Sequence, residues 1–196
     1  MRVLSSFFAL GLAALPTAAF AHAGVGSQDL AHGLMHPVGG LDHVLAMLAV
    51  GTLAFVLGGR ALWLVPLSFV GMMAAGFVLG ANGIALPHAE LAIALSSIVI
   101  GGLAAVGRRL PLAVAMALVG GFATFHGWAH GAEMPVESGT LPYALGFMAT
   151  TAMLHVTAIA AAMGVAATTG KYGRPIAQVL GGVFAIGGTG ILAGWL

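Results

Sequence analysis

Two short runs of the sequence combine imidazole and carboxylate side chains, and the first spans residues 36–43. It reads His-Pro-Val-Gly-Gly-Leu-Asp-His. Pro37 and the glycines favour a bent, non-helical segment, which would fold His36 back towards Asp42 and His43. Imidazole and carboxylate together suit divalent first-row metals. The alternative is structural: Asp42 caps a helix N-terminus and His43 is an interfacial residue.

The second run spans residues 125–133 and reads Phe-His-Gly-Trp-Ala-His-Gly-Ala-Glu. His126 and His130 are four residues apart, so they share one helix face, and Glu133 joins that face if the helix continues past Gly131. The alternative is an interfacial belt, in which Trp128 anchors the helix end and the histidines are solvated. From the two runs together we predict metal ligands at His36, Asp42, His43, His126, His130 and Glu133.

His155 is the one histidine that the sequence places inside an apolar span. It lies roughly 21 Å along a helix that begins near residue 141, at about 1.5 Å per residue. A polar side chain at that depth is costly and indicates a function. We predict that His155, and Met47 one turn after His43, lie on a translocation path. The alternative for His155 is a structural hydrogen bond to the Thr151 hydroxyl.

Three further polar residues near the N-terminus are predicted to capture metal at the outer surface: His22, Asp29 and His32. A short helix capped by Ser27 would place Asp29 and His32 on one face with His36. His22 would become the N-terminal residue if the chain is cleaved after Ala21, and its amine and ring could then chelate an ion.

These residues belong to a chain whose composition excludes a water-soluble domain. Among 196 residues there are six Lys or Arg and five Asp or Glu, so 6% are charged, against about 25% in soluble domains. Apolar types make up 60%, which also excludes a disordered chain. The net charge of +1 offers no basis for nucleic-acid binding, and the absence of Cys excludes disulfides and thiolate ligands.

The apolar stretches predict an all-α, polytopic membrane protein: a six-helix transmembrane bundle after a cleaved signal peptide. Residues 1–21 fit the signal peptide, because Arg2 precedes a short apolar segment and Ala19-Phe20-Ala21 fits the cleavage rule; an uncleaved first helix is the alternative. Residues 22–196 form a single membrane domain. Its spans are predicted at about 40–58, 62–80, 89–107, 111–130, 142–168 and 176–196. Glycines spaced four apart at Gly76, Gly127 and Gly190 predict tight helix packing.

The charges predict the orientation. Every Lys and Arg after residue 21 falls in the turns at 58–61, 107–110 and 169–175, which are therefore predicted to be cytoplasmic. The acidic residues, and every histidine except His155, fall on the opposite side. This orientation places the mature N-terminus and the C-terminus in the periplasm of a bacterium, with the protein in the inner membrane.

The two histidine runs resemble the HupE/UreJ family of small bacterial membrane proteins. The family's signature His-Pro-x-x-Gly-x-Asp-His is matched from His36 to His43, and its signature His-Gly-x-Ala-His-Gly-x-Glu from His126 to Glu133. The resemblance covers the whole chain. It implies transport of nickel, or in some members cobalt, for nickel hydrogenase, urease or cobalamin pathways. His155 and the N-terminal residues are predicted from this sequence alone.

The sequence therefore predicts a permease, not an enzyme, that imports Ni²⁺ or Co²⁺ from the periplasm. The ion is its cargo, and no prosthetic group is expected. The predicted partners are the lipid bilayer, the ion and metal-delivery proteins on either side of the membrane. One alternative is a membrane-embedded zinc hydrolase, in which Asp42 and three histidines hold zinc and Glu133 is the base. The other is a metal-binding accessory protein that does not transport.

Overall fold

The computed structural model describes residues 25–135 and 138–195, and all the regular secondary structure in this part is helical. The signal peptide predicted at residues 1–21 and the prediction for His22 lie outside this part. The helices are α1 (Val25–Gly39), α2 (Leu41–Leu57), α3 (Ala61–Ala81), α4 (Ala89–Val106), α5 (Leu112–Ala132), α6 (Thr140–Thr169) and α7 (Gly173–Leu192), and a 3₁₀ turn at Gly170–Tyr172 joins the last two.

Four helical stretches are long and apolar enough to cross a membrane: Ala61–Ala81, Ala89–Val106, Leu112–Ala132 and Thr140–Leu192, which contains both α6 and α7. Helix α2 has 17 residues and is too short by itself, but it passes the same test together with Asp29–Gly39. The chain is therefore a multi-pass membrane protein with four or five candidate spans. The six predicted spans coincide with helices α2 to α7 to within a few residues.

Helices α1 and α2 meet at an 81° bend, and the bend lies at Gly40. The predicted bend is present at one of the glycines, Gly40, but the prediction is wrong for Pro37, because α1 continues through Pro37 to Gly39. Proline weakens a helix by removing one hydrogen bond, and α1 ends two residues later. Gly40 then adopts an extended conformation, with φ −109° and ψ 121°. The bend leaves the last turn of α1 beside the first turn of α2.

Glycines make the closest contacts between helices, as the four-residue spacing predicts. Helices α3 and α5 each place two glycines against the backbone of the other helix. Gly101 and Gly181 make a similar contact between α4 and α7. The contacts between α3 and α5 join Gly76 to Thr124, Gly80 to Trp128, Gly127 to Met73 and Gly131 to Phe77.

Helix α2 lies at the centre of the bundle, in contact with α3, α4, α6 and α7. Nearly all its residues from Ala46 to Val56 are buried. Gly51 allows α6 to approach closely, because a Cβ there would lie 2.6 Å from the carbonyl oxygen of His155. The central helix thus carries His43 at its start and packs along the middle of α6.

The contact between α3 and α5 generates a stability prediction. A methyl group at Gly127 would collide with the carbonyl oxygen of Met73. We expect Gly127→Ala to lower the free energy of unfolding by about 1–3 kcal/mol, the usual cost of overpacking, as measured by thermal unfolding in detergent. Gly121→Ala is the control, because Gly121 is exposed on the same helix with open space at its Cβ position. Equal stability of the two variants would contradict the close contact.

Candidate metal centre

An open cavity of about 1010 Å³ lies at the end of the bundle where α1 meets α2. Four of the six predicted ligands and one predicted capture residue line it, together with a glutamate from the start of α4. These residues are His32, His36, Asp42, His43, Glu90 and Glu133. Polar side chains that are distant in sequence thus line one cavity.

His36 and Glu133 join α1 to the end of α5 at the rim of this cavity. The His36 Nε2 atom lies 3.3 Å from Glu133 Oε2. Helix α5 continues past Gly131 to Ala132, and Glu133 follows as its C-cap. The two side chains are 30% and 61% exposed, so water can reach both. Both side chains are therefore accessible from the cavity.

Asp42 orients the ring of His43. Its Oδ1 atom accepts the backbone N–H of His43 at 2.8 Å and lies 3.0 Å from His43 Nδ1. The N-cap of α2 is Gly40, so the alternative of Asp42 as a helix cap is wrong. When Nδ1–H donates to the carboxylate, the lone pair is on Nε2, which is buried and lacks a partner within the described residues. Carboxylates fix metal-binding histidines in this way.

His126 and His130 lie deeper than the cavity rim and are both 0% exposed. The alternative of a solvated interfacial belt is therefore wrong for them. The ring centroid of His43 lies 4.8 Å from that of His126 and 5.1 Å from that of His130. His36 lies 4.8 Å from His130. We call these four residues, from α1, α2 and α5, the histidine cluster.

Ser96, in the interior of α4, orients the ring of His126. The Ser96 hydroxyl donates to the carbonyl oxygen of Ile93 at 2.6 Å and lies 2.9 Å from His126 Nε2. A hydroxyl has one proton to donate, so when that proton is on the Ile93 carbonyl, Ser96 accepts from the Nε2–H group of His126. The lone pair of that ring is then on Nδ1, which has no partner within the described residues.

The donor atoms of the cluster are not yet arranged around a single point. No three His, Asp or Glu side chains of the described residues are placed to hold one metal ion. The ring spacings nevertheless suit a common ion. With metal–nitrogen bonds of about 2.0–2.1 Å, two imidazole centroids stand about 4.5–5.2 Å apart. Rotation of the rings would aim the unpartnered nitrogens of His43, His126 and His130 at one ion.

His155 lies beyond the cluster on α6 and is 0% exposed. The Phe69 ring is interposed, with its centroid 5.4 Å from that of His126 and 5.1 Å from that of His155. The Thr151 hydroxyl donates to Met73 Sδ at 3.7 Å. Because both ring nitrogens of His155 lack a partner within the described residues, the alternative of a hydrogen bond to Thr151 is wrong.

Asp29 and Met47 are not brought to the cavity. The Asp29 carboxylate accepts the backbone N–H of Gly139 at 2.7 Å and is 6% exposed, so it fixes α1 to the start of α6. Its partner in the predicted capture face, His32, lines the cavity without it. Met47 is buried in the apolar core of α2, one turn after His43.

Four residues of the site were not predicted: Glu90, Ser96, Phe69 and Tyr143. Tyr143 lines the cavity, and its ring centroid lies 5.9 Å from that of His36. Ser96 carried a usable signal, because a hydroxyl within an apolar span normally bonds to a neighbouring helix. Phe69 carried none, because an aromatic residue is ordinary in a span.

Comparison with known proteins agrees with the family resemblance that the two histidine runs suggested. The family model described as HupE / UreJ protein matches residues 10–191. Protein HupE of Rhizobium leguminosarum bv. viciae is 46% identical over 185 residues, which cover 94% of this chain and 95% of that protein. No solved structure matches the chain. A match over nearly the whole length, with the cluster inside it, shows that the chain belongs to the HupE/UreJ family.

Proposed function

We propose that this protein is a secondary permease that imports Ni²⁺, or Co²⁺, across the bacterial inner membrane for the maturation of metalloenzymes such as hydrogenase or urease. One observation carries the proposal: three imidazoles with buried ring nitrogens, which lack a partner among the described residues, lie next to a cavity whose walls hold carboxylates. The family resemblance supports the same cargo.

The side chains suit the capture of a divalent cation. Asp42, Glu90 and Glu133 bring negative charge to the cavity, which attracts a hydrated cation. Neutral imidazoles then replace its water. Nitrogen and oxygen donors without thiolate suit Ni²⁺, Co²⁺ or Zn²⁺ better than Cu(I). Because protons compete with the metal for the same nitrogens, uptake should weaken as the pH falls.

The route inward runs from the histidine cluster past Phe69 to His155. The Phe69 ring contacts His126 on one side and His155 on the other, so it must rotate for an ion to pass. Met47 belongs to the same buried apolar cluster as Phe69. The membrane potential drives the step, since two charges gain roughly 4.6 kcal/mol per 100 mV. That energy supports a concentration ratio of about 10³.

The proposal includes six crossings, one for each of helices α2 to α7. Thr140–Leu192 contains 53 residues, and at about 1.5 Å per residue a straight helix of that length would extend about 80 Å, far beyond a bilayer core. Helices α6 and α7 instead pack against each other. With both termini and the cavity in the periplasm, the basic turns are cytoplasmic. Metal-delivery proteins would meet the permease at either end.

Flux into liposomes tests the proposal. The purified protein is reconstituted with a nickel-sensitive dye inside, and nickel is added outside with an inside-negative potential. We expect a dye response that grows with the potential and is absent from protein-free vesicles. Nickel binding in detergent without a dye response would instead indicate a non-transporting accessory protein. Zinc-dependent hydrolysis without flux would indicate an enzyme.

The shared site predicts the first set of variants. Asp42→Ala, His43→Ala, His126→Ala and His130→Ala should each reduce nickel flux to background while the protein still inserts, because each removes a ligand or its orienting group. His88→Ala is the control, since this outer histidine is exposed and does not line the cavity. Wild-type flux in two or more of the four variants would exclude a shared site.

Ser96 predicts a separate effect on affinity. Without the Ser96 hydroxyl, the Nε2–H group of His126 loses its acceptor. The ring is then no longer fixed in the tautomer whose lone pair is on Nδ1. Ser96→Ala should weaken nickel binding about 10–100-fold, the usual effect of losing such a partner, and Ser96→Thr should restore it. Ser97→Ala is the matched control, because its buried hydroxyl bonds only to the Ala94 carbonyl. Equal affinities of the two alanine variants would exclude the orienting role.

The position of His155 beyond the cluster predicts that its substitution affects nickel flux but not nickel binding. His155→Ala and the bulkier His155→Leu should slow nickel flux at least about tenfold, because the ion loses its one polar stop in the span. Equilibrium binding in detergent should stay near the wild-type value. Met153→Ala, on the exposed face of the same helix, is the control. Unchanged flux would remove His155 from the path, and a parallel loss of binding would indicate a single deep site.

A further inference from the structure

A second cavity, of about 520 Å³, lies at the opposite end of the bundle, where α2 ends. Three arginines line it, and each comes from a different turn: Arg60 before α3, Arg109 before α5 and Arg174 at the start of α7. The turns are separated by 49 and 65 residues of sequence, so only the fold brings these guanidinium groups around one space.

No carboxylate of the described residues neutralises these arginines. Asp29, Asp42, Glu90 and Glu133 all lie at the other end of the bundle, and both ion pairs of the described residues are histidine–carboxylate pairs there. Arg174 is partly held in place, because its Nη2 group donates to the carbonyl oxygen of Gly107 at 3.1 Å. The cavity therefore concentrates positive charge that the described residues leave uncompensated.

The remaining walls of the cavity are apolar. They are formed by Leu57, Ala61, Leu110 and Leu112, beside Gly58. A free inorganic anion would use only the guanidinium groups. A ligand with an anionic head and an apolar body would use both parts of the lining, and such a ligand surrounds a membrane protein at all times.

We propose that this cavity binds the phosphate head group of an anionic phospholipid, such as phosphatidylglycerol, at the cytoplasmic face. Guanidinium groups bind phosphate through paired hydrogen bonds, and basic pockets between helices at this face suit such lipids. The positive-inside rule accounts for how many basic residues lie at this face, and it treats all of them alike. The cavity distinguishes among them, because Arg60, Arg109 and Arg174 line it and Arg108 and Lys171 do not.

The difference between arginines inside and outside the cavity defines the experiment. Phosphatidylglycerol is titrated onto the detergent-solubilised full-length protein, and bound lipid is counted by native mass spectrometry. Arg109→Ala should weaken binding about tenfold or more, as expected for losing a charged hydrogen-bond partner. Arg108→Ala removes the same charge from the neighbouring position of the same turn, outside the cavity, and should change binding less than about threefold. Insertion and orientation, measured by protease accessibility, should match in the two variants.

Arg60→Ala and Arg174→Ala extend the test to the other two turns and should resemble Arg109→Ala. Phosphatidylcholine should bind wild-type and variant proteins equally weakly, and excess inorganic phosphate should not displace phosphatidylglycerol. Equal losses from Arg108→Ala and Arg109→Ala would overturn the proposal in favour of a diffuse surface charge. Displacement by inorganic phosphate would overturn the lipid assignment in favour of a free anion.

Discussion

The bilayer core contains no water, so a polar group buried there needs a partner within the protein. Four ring nitrogens of the histidine cluster, one each on His43 and His126 and both on His130, are left without one among the described residues. An unpaired buried polar group costs about 1–3 kcal/mol. Asp42 and Ser96 limit this cost by each accepting one N–H group, and in doing so they leave a lone pair on the inner side of each ring. A cation that bound these lone pairs would satisfy them together, which supports the proposed metal site.

Helix packing holds the histidines in this arrangement. One short run of α5, residues 126–131, contains both two of the predicted ligands and the glycines that pack against α3. Successive residues of an α-helix point about 100° apart. In the run from His126 to Gly131, each histidine is followed by a glycine, so the glycines face α3 while the histidines face His43. The glycines bring α5 close to α3, which fixes the depth and rotation of both imidazoles. A larger residue at either glycine would therefore displace a histidine as well as separate two helices.

Much of this arrangement was predictable because it depends on local patterns. Apolar length predicts helices α2 to α7 to within a few residues, and four-residue spacing predicts that His126 and His130 share a face. The contact between the two histidine runs was predictable only as a hypothesis, because no local sequence pattern brings the start of α2 to the end of α5. Asp29 was assigned to the wrong neighbour for the same reason: its partner is the backbone of Gly139, 110 positions away. The bent segment was predicted from Pro37 and the glycines together, but the bend lies at Gly40 alone and α1 continues through Pro37. The metal ligands themselves remain predictions.

The separation of charge along the bundle has a consequence for the direction of transport. Carboxylates and imidazoles line the cavity at one end, and guanidinium groups line the cavity at the other. Two like charges about 4 Å apart repel by about 4 kcal/mol at an effective dielectric of 20, so the basic end disfavours a divalent cation approaching from its side. In the proposed permease, an ion that has passed His155 meets no ligand at that end that would hold it, and an ion in the cytoplasm is kept from returning by the same charges. An anionic lipid head group in the basic cavity would reduce that repulsion. Occupancy of the lipid site would then alter how readily the ion leaves, and so couple the composition of the inner leaflet to metal uptake.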